Sequence, residues 1–181
     1  MNCLGMLEYK SVSAGIKSCD TVLKAANVKL LYSMPVCAGK YIIIVRGDTG
    51  AVYAAIDAGK QVSVFNLVDS IIIPNLHKDI FPALTASGNV GKIEALGSVE
   101  SYSIAATIIA ADIALKTADI RMIEIRIAKG LGGKSYFNFT GEVGAVRESE
   151  KTCIKYLEDN GWLVYSCVIP NPHPSLAEKL Y

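Results

Sequence analysis

The sequence is poor in charge. Asp, Glu, Lys and Arg make up 19% of the 181 residues, and apolar residues make up 51%. A chain of that balance folds around a core and is not disordered. It also has little polar material to cover a monomer, which points to buried contacts between subunits. The net charge is +1 and the Lys and Arg residues are scattered. No basic stripe is therefore present, and nucleic acid is excluded as a partner. The most apolar stretch, residues 104–115, is interrupted by Asp112; a bilayer-spanning helix needs about 20 apolar residues, so no membrane partner is expected. The opening MNCLGMLEYK has no basic region followed by an apolar one, which makes a cytoplasmic location the expectation.

Further absences bear on chemistry. The five cysteines, Cys3, Cys19, Cys37, Cys153 and Cys167, have no C-x-x-C spacing. That pattern excludes a disulfide framework and a single-chain zinc site and fits reduced thiols. GDTG from Gly47 and GEVG from Gly141 lack the spacing of a phosphate-binding loop and read as helix starts. There are no paired carboxylates and no Cys/His arrangement. His77 and His173 have no acidic or nucleophilic partner that recurs beside both. The chain is not expected to be an enzyme.

What is present is a repeat. LGMLEYKSVSAGIKSCDTVLKAANV, from Leu4, matches LGSVESYSIAATIIAADIALKTADI, from Leu96, 92 positions on. Gly39-Lys40 matches Gly133-Lys134, and GDTGAV matches GEVGAV, both 94 positions apart. IPNLH from Ile73 matches IPNPH from Ile169 at a spacing of 96. Two small insertions in the second copy account for the drift. The ordered matches divide the chain into domains 1–90 and 93–181, with a small, polar linker at Gly88-Asn89-Val90-Gly91-Lys92.

Each copy reads as strand, helix, strand, strand, helix, strand. Residues 3–9 alternate as a strand. Ser11 is an N-cap for a helix to about Ala26, with Val12, Ile16, Cys19, Val22, Leu23 and Ala26 on its apolar face. Strands follow at 28–34, stopped by Pro35, and at 41–46. Asp48 caps a second helix, and residues 67–73 form the last strand, ended by Pro74. The second copy repeats this as strand 96–101, helix 103–118, strands 120–128 and 134–140, helix 142–159 and strand 162–169, with Gly161 placed as a helix C′ residue. Residues 77–84 and 174–181 are expected to add a helical turn or two. The fold class is α+β, a tandem repeat of ferredoxin-like β-α-β-β-α-β units.

LGMLE, VLKAANV, GKY-apolar-RGDTGAV and IPNLH, with their second-copy counterparts, resemble the bacterial microcompartment shell domain. The resemblance covers nearly the whole chain, and the order of segments is not circularly permuted. Within the family it is similar to the tandem-domain shell proteins of propanediol-utilisation compartments, whose corresponding loop also carries a cysteine. The resemblance implies a homotrimer whose six domains mimic a hexamer, tiled with other shell proteins into the compartment shell. It implies a central pore lined by Val36, Cys37, Ala38 and Gly39 of one copy and Gly130, Leu131, Gly132 and Gly133 of the other. It places Lys24 and Lys116, together with Asn75, His77, Asn171 and His173, at tile edges. Asn75 and Asn171 stand where the family usually has arginine, so that side chain is missing from the edge.

Cys37 is the residue with unusual chemistry. One thiol cannot hold an iron–sulfur cluster, but a threefold axis would bring three copies of Cys37 together, and three soft thiolates suit a [4Fe–4S] cluster with a non-cysteine ligand on the fourth iron. Leu131 occupies the matching position in the second copy, so the ring would carry three thiols and not six. Ala38 and Gly39 are small and let backbone approach closely. The resulting expectation is a structural shell tile that passes electrons across the shell, with a redox enzyme of the compartment as partner. Two alternatives stay open: a selective metabolite pore without a metal centre, and a mononuclear metal held by three thiolates. Cys3, Cys19, Cys153 and Cys167 fall in helix or strand patterns and read as small core hydrophobes.

Overall fold

Each copy is built around one central strand. In the computed structural model, which describes residues 2–88 and 90–180, β1 (Cys3–Tyr9) pairs antiparallel with β3 (Lys40–Gly47) on one side and with β4 (Leu67–Ile73) on the other. β2 (Lys29–Val36) completes a sheet of order β2-β3-β1-β4. The second copy forms β6-β7-β5-β8 from β5 (Ala95–Ser101), β6 (Ile120–Ile127), β7 (Ser135–Gly141) and β8 (Leu163–Ile169). The registers repeat: Cys3 faces Gly47 and Leu4 faces Ile73, as Ala95 faces Gly141 and Leu96 faces Ile169. Even the irregularities recur, at Leu30/Tyr32 and Met122/Glu124 and again at Glu8/Tyr9 and Glu100/Ser101. The α+β tandem fold expected from the repeat is the fold observed.

Helices α1 (Val12–Ala25) and α2 (Thr49–Lys60) pack on the first sheet; α4 (Ile104–Thr117) and α5 (Val143–Asp159) pack on the second. Short helices α3 (Ile80–Leu84) and α6 (Pro174–Ala177) follow the last strand of each copy. The predicted caps are present: Ser11 Oγ accepts from the Ala14 N–H and Ser103 Oγ from the Ala106 N–H. Each satisfies a donor that the first helical turn would otherwise leave open. Tyr9, buried in the first core, donates from its hydroxyl to the Gly59 carbonyl at 2.7 Å and touches Ser18 Oγ at 2.9 Å, which ties α1 and α2 to the central strand.

Three local expectations change. The strand before the first hairpin does not stop at Pro35; β2 runs through it to Val36 and pairs Pro35 with Tyr41. β2 is an edge strand, where a missing N–H need not break a ladder. The apolar face read for α1 is only half buried: Cys19 and Val22 enter the core, whereas Val12, Ile16 and Leu23 are exposed. The inner face is completed by Gly15 and Ser18, small residues that periodicity of apolar side chains does not register. Finally, the two compact units are Met1–Leu76 and His77–Tyr181. The segment from 77 onward was assigned to the first copy by the repeat, but it packs within the second unit, where α3 lies on β6 and α4 and buries Ile80, Phe81, Ala83 and Leu84. Val90 and Ile93 join Leu96 and Ile123 in a small core there. Of the residues read as linker, Asn89 lies outside the described residues, as do Met1 and Tyr181 at the ends of the two domains.

The glycine of the repeated LG pair has a packing reason. A Cβ on Gly5 would meet Val52 and Ile56 of α2, and one on Gly97 would meet the ring of Phe139, which is itself fully buried. The small residue lets a neighbouring side chain lie directly on the central strand. Gly97→Ala is therefore expected to lower the stability of the second unit by about 1–3 kcal/mol through overpacking, read as a shift in the urea midpoint; an unchanged midpoint would show that Phe139 yields freely.

Candidate functional site

The residues singled out for chemistry lie at the tips of two hairpins. The first joins β2 to β3 through only Cys37, Ala38 and Gly39, with Ala38 at φ 60° and Gly39 at φ 71°. Two consecutive left-handed residues reverse the chain in the fewest positions and push the tip outward. Val36, the last residue of β2, is buried, Cys37 is half-buried, and Ala38 and Gly39 are exposed. Of the four residues proposed to line a pore, the last three thus form the protruding lip.

The second hairpin is longer. The strand registers make Val36 equivalent to Ala128 and Lys40 equivalent to Lys134. The span Cys37-Ala38-Gly39 therefore corresponds to Lys129-Gly130-Leu131-Gly132-Gly133, and the first two-residue insertion sits at this tip. Counting back from the Gly-Lys pair sets Leu131 against Cys37; counting forward from the strand sets Lys129 there. Neither is a thiol, so the presence of cysteine in one copy alone holds for both alignments. Gly130 and Gly132 are exposed and Leu131 is half-buried.

Both tips are braced at the base by the same ion pair. Lys40 Nζ lies 2.8 Å from Glu8 Oε1 and Lys134 Nζ lies 2.6 Å from Glu100 Oε1. Glu8 is buried, so its pairing is less screened than a surface bridge. Reading the sequence noted Glu8 and Glu100 as identities without assigning them this role; their recurrence with Lys40 and Lys134 was the available signal.

The two hairpins differ in charge. In the second, Glu124 accepts from Asn138 Nδ2 at 3.0 Å, from the Tyr136 hydroxyl at 3.2 Å and from Arg126 Nε at 2.6 Å. Burial, followed by the Glu124 charge, pushes the Tyr136 phenol above its ordinary value. The register-equivalent residues of the first hairpin are Tyr32, Met34, Ile42 and Ile44. This substitution of a charged network for an apolar one was not read from the sequence, although the aligned copies display it.

The residues placed at tile edges fall around the segments after β4 and β8. Lys24 pairs with Asp20 at 2.7 Å on an open helix face, whereas Lys116 pairs at 2.6 Å with Asp112, which is buried. The other oxygen of Asp112 accepts the His77 backbone N–H at 2.8 Å, so the fold brings His77, Asp112 and Lys116 together. Asn75 is exposed with φ 54°, a conformation that asparagine tolerates better than most residues. Asn171 and His173 are exposed. Each histidine caps the turn that follows it: His77 Nδ1 accepts from the Asp79 N–H at 3.4 Å and His173 Nδ1 from the Ser175 N–H at 3.2 Å.

Whether an iron–sulfur cluster suits these residues is decided by the donor set. Among the described residues of one chain, no group of three His, Cys, Asp or Glu side chains could hold a metal ion. The thiol of Cys37 is half-buried at a protruding tip beside small residues. It therefore fits as one of several ligands contributed by different chains. Cys3, Cys19 and Cys153 are buried and unavailable; the Cys153 thiol is pushed up to about 12, by burial first and by Glu150 second.

Residues 3–76 and 95–172 each match the BMC domain family. The chain is 39% identical over 177 residues to the bacterial microcompartment shell protein PduT of Citrobacter freundii, covering 98% of this chain and 96% of that protein. A match to the shell protein PduA of the same organism, 40% identical over 79 residues, spans 42% of this chain and 85% of the relative. A crystal structure of a microcompartment protein from Desulfitobacterium hafniense superposes with a TM-score of 0.95 at 41% identity, covering 97% of this chain and 98% of the other. Among the described residues, no helix is long and apolar enough to cross a membrane.

The burial pattern sets an order of thiol reactivity. Brief iodoacetamide treatment of the native protein at neutral pH is expected to label Cys37 first and Cys3, Cys19 and Cys153 not at all until the chain is unfolded. Peptide mass mapping reads the order, and early labelling of Cys153 would contradict the core placement.

Proposed function

The chain belongs to the BMC domain family of bacterial microcompartment shell proteins, and from that premise we propose that three copies form a pseudo-hexameric shell tile whose central pore holds one [4Fe–4S] cluster on three Cys37 thiolates. The observation that carries this reading is the hairpin Cys37-Ala38-Gly39: a tight, outward tip with a half-buried thiol in the first copy and no thiol in the corresponding loop of the second. A ring of three such chains presents three soft ligands and leaves one iron for a non-cysteine ligand. When bound, the cluster would supply one-electron transfer across the shell, to a redox enzyme of the compartment. The chain's own contribution is positional. The Lys40–Glu8 and Lys134–Glu100 pairs hold the hairpin bases, and the exposed backbone at Ala38 and Gly39 lies beside the sulfur position, where N–H groups tune a cluster. The role is structural, with no catalytic residue, and other shell proteins are the partners at the tile edges.

Protein purified without oxygen is expected to contain about four irons and four sulfides per three chains, with visible absorbance that Cys37→Ser abolishes while the oligomer mass stays the same. Iron-free protein from a strictly anaerobic preparation, indistinguishable from Cys37→Ser, would overturn the cluster and leave the metabolite-pore reading. One iron per three chains without sulfide would identify a mononuclear three-thiolate site.

A further inference from the structure

The two copies are alike in sequence but opposite in what covers their first helix. Val12, Ile16 and Leu23 of α1 are 38%, 55% and 40% exposed, whereas the matching Ile104, Ile108 and Leu115 of α4 are 2%, 0% and 7% exposed. The cover on α4 is the segment that follows β4: Leu76 and the helix α3, with Ile80, Phe81 and Leu84 buried, and the His77 N–H bonded to Asp112 at 2.8 Å. The corresponding segment after β8 has no such seat. None of the α6 residues is buried and Leu176, the counterpart of Ile80, is 41% exposed. Asp20, the counterpart of Asp112, is exposed and bonded through one oxygen to Lys24; its other oxygen has no hydrogen bond among the described residues.

One chain therefore carries a completed joint and the two unmated halves of a second one. We propose that the α1 face of the first unit, Val12, Ile16, Asp20 and Leu23, is the seat for residues 172–180 of a second copy of this chain. Leu176 of the incoming segment fills the place that Ile80 takes on α4, beside Ile16, and the His173 N–H donates to Asp20 as the His77 N–H does to Asp112. Charge is conserved across the pair of joints, because Lys24 flanks Asp20 as Lys116 flanks Asp112. The contact is heterologous: each chain offers a seat at one end and a plug at the other, and such contacts propagate until a ring closes. It rests on the tile reading and deepens it by naming the surface that joins the protomers. The plug is smaller than its internal counterpart, with Ala177 at the position of Phe81 and Pro172 at that of Leu76, so the joint between chains is the weaker of the two and parts before either unit unfolds.

The test uses the full-length chain, with mass from light scattering and folding from far-UV circular dichroism. Ile16→Lys and Leu176→Glu, each alone, are expected to reduce the mass about threefold with native circular dichroism, and the double variant, which sets opposite charges face to face, is expected to regain the parent mass. Ile80→Ser, inside the completed joint, is expected to lower the melting temperature and leave the mass unchanged. Single variants that keep the parent mass overturn the docking surface while leaving the tile intact. A monomeric parent protein overturns both, and an iron-free trimer overturns only the cluster.

Discussion

The joint between the His77 backbone and the Asp112 carboxylate is the constraint from which the rest of this molecule's asymmetry follows. A helix that is apolar all round, as α4 is, can exist only when something covers every side. The chain supplies that cover from the segment leaving the first sheet. Asp112 can be buried beneath it because both of its oxygens are occupied, one by the His77 N–H and one by Lys116; an unpaired carboxylate there would cost several kcal/mol. Once that segment is committed to the second unit, the domain boundary has to fall after Leu76 and not in the small-residue linker near residue 90.

The hairpins show the complementary effect, divergence where packing makes few demands. Strands β1 and β5 are paired on both sides, so their registers are the same in both copies down to the bulges. The tips are paired with nothing in the chain, and there the copies differ in length, charge and chemistry. A thiol in one copy, a glycine-rich loop in the other, and a charged Glu124 network against apolar Tyr32, Met34, Ile42 and Ile44 all sit at the ends of hairpins whose bases are held by identical Lys–Glu pairs. A constant base under a variable tip is a general way to place function on a scaffold.

Much of the fold was legible because the repeat supplied two readings of every element. Ser11 and Ser103, Gly5 and Gly97, and the two Gly-Lys pairs each appear in the same role twice. The misreadings have specific causes. Pro35 was read as a stop because its lack of an N–H ends most strands, but on an edge strand that N–H is not needed. Val12, Ile16 and Leu23 were assigned inward by helical spacing, yet the inner face is completed by Gly15 and Ser18. The thiol at the turn was legible as a site candidate, since cysteine in a connection is unusual. The Glu8–Lys40 brace and the Glu124 network were not, because ion pairing between strands depends on register.

The sequence by itself determined that the chain is one α+β unit written twice, where each strand and helix falls, and that a single copy carries a thiol at its hairpin tip. Those facts follow from local periodicity, capping and spacing, which act along the chain. Only the tertiary structure decided that α4 is sealed while α1 stays open, that the segment after β4 belongs to the second unit, and that Asp112 rather than Asp20 is buried. Burial is set by which surface arrives to cover another, and two helices with the same periodicity differ in it as soon as only one of them receives a partner.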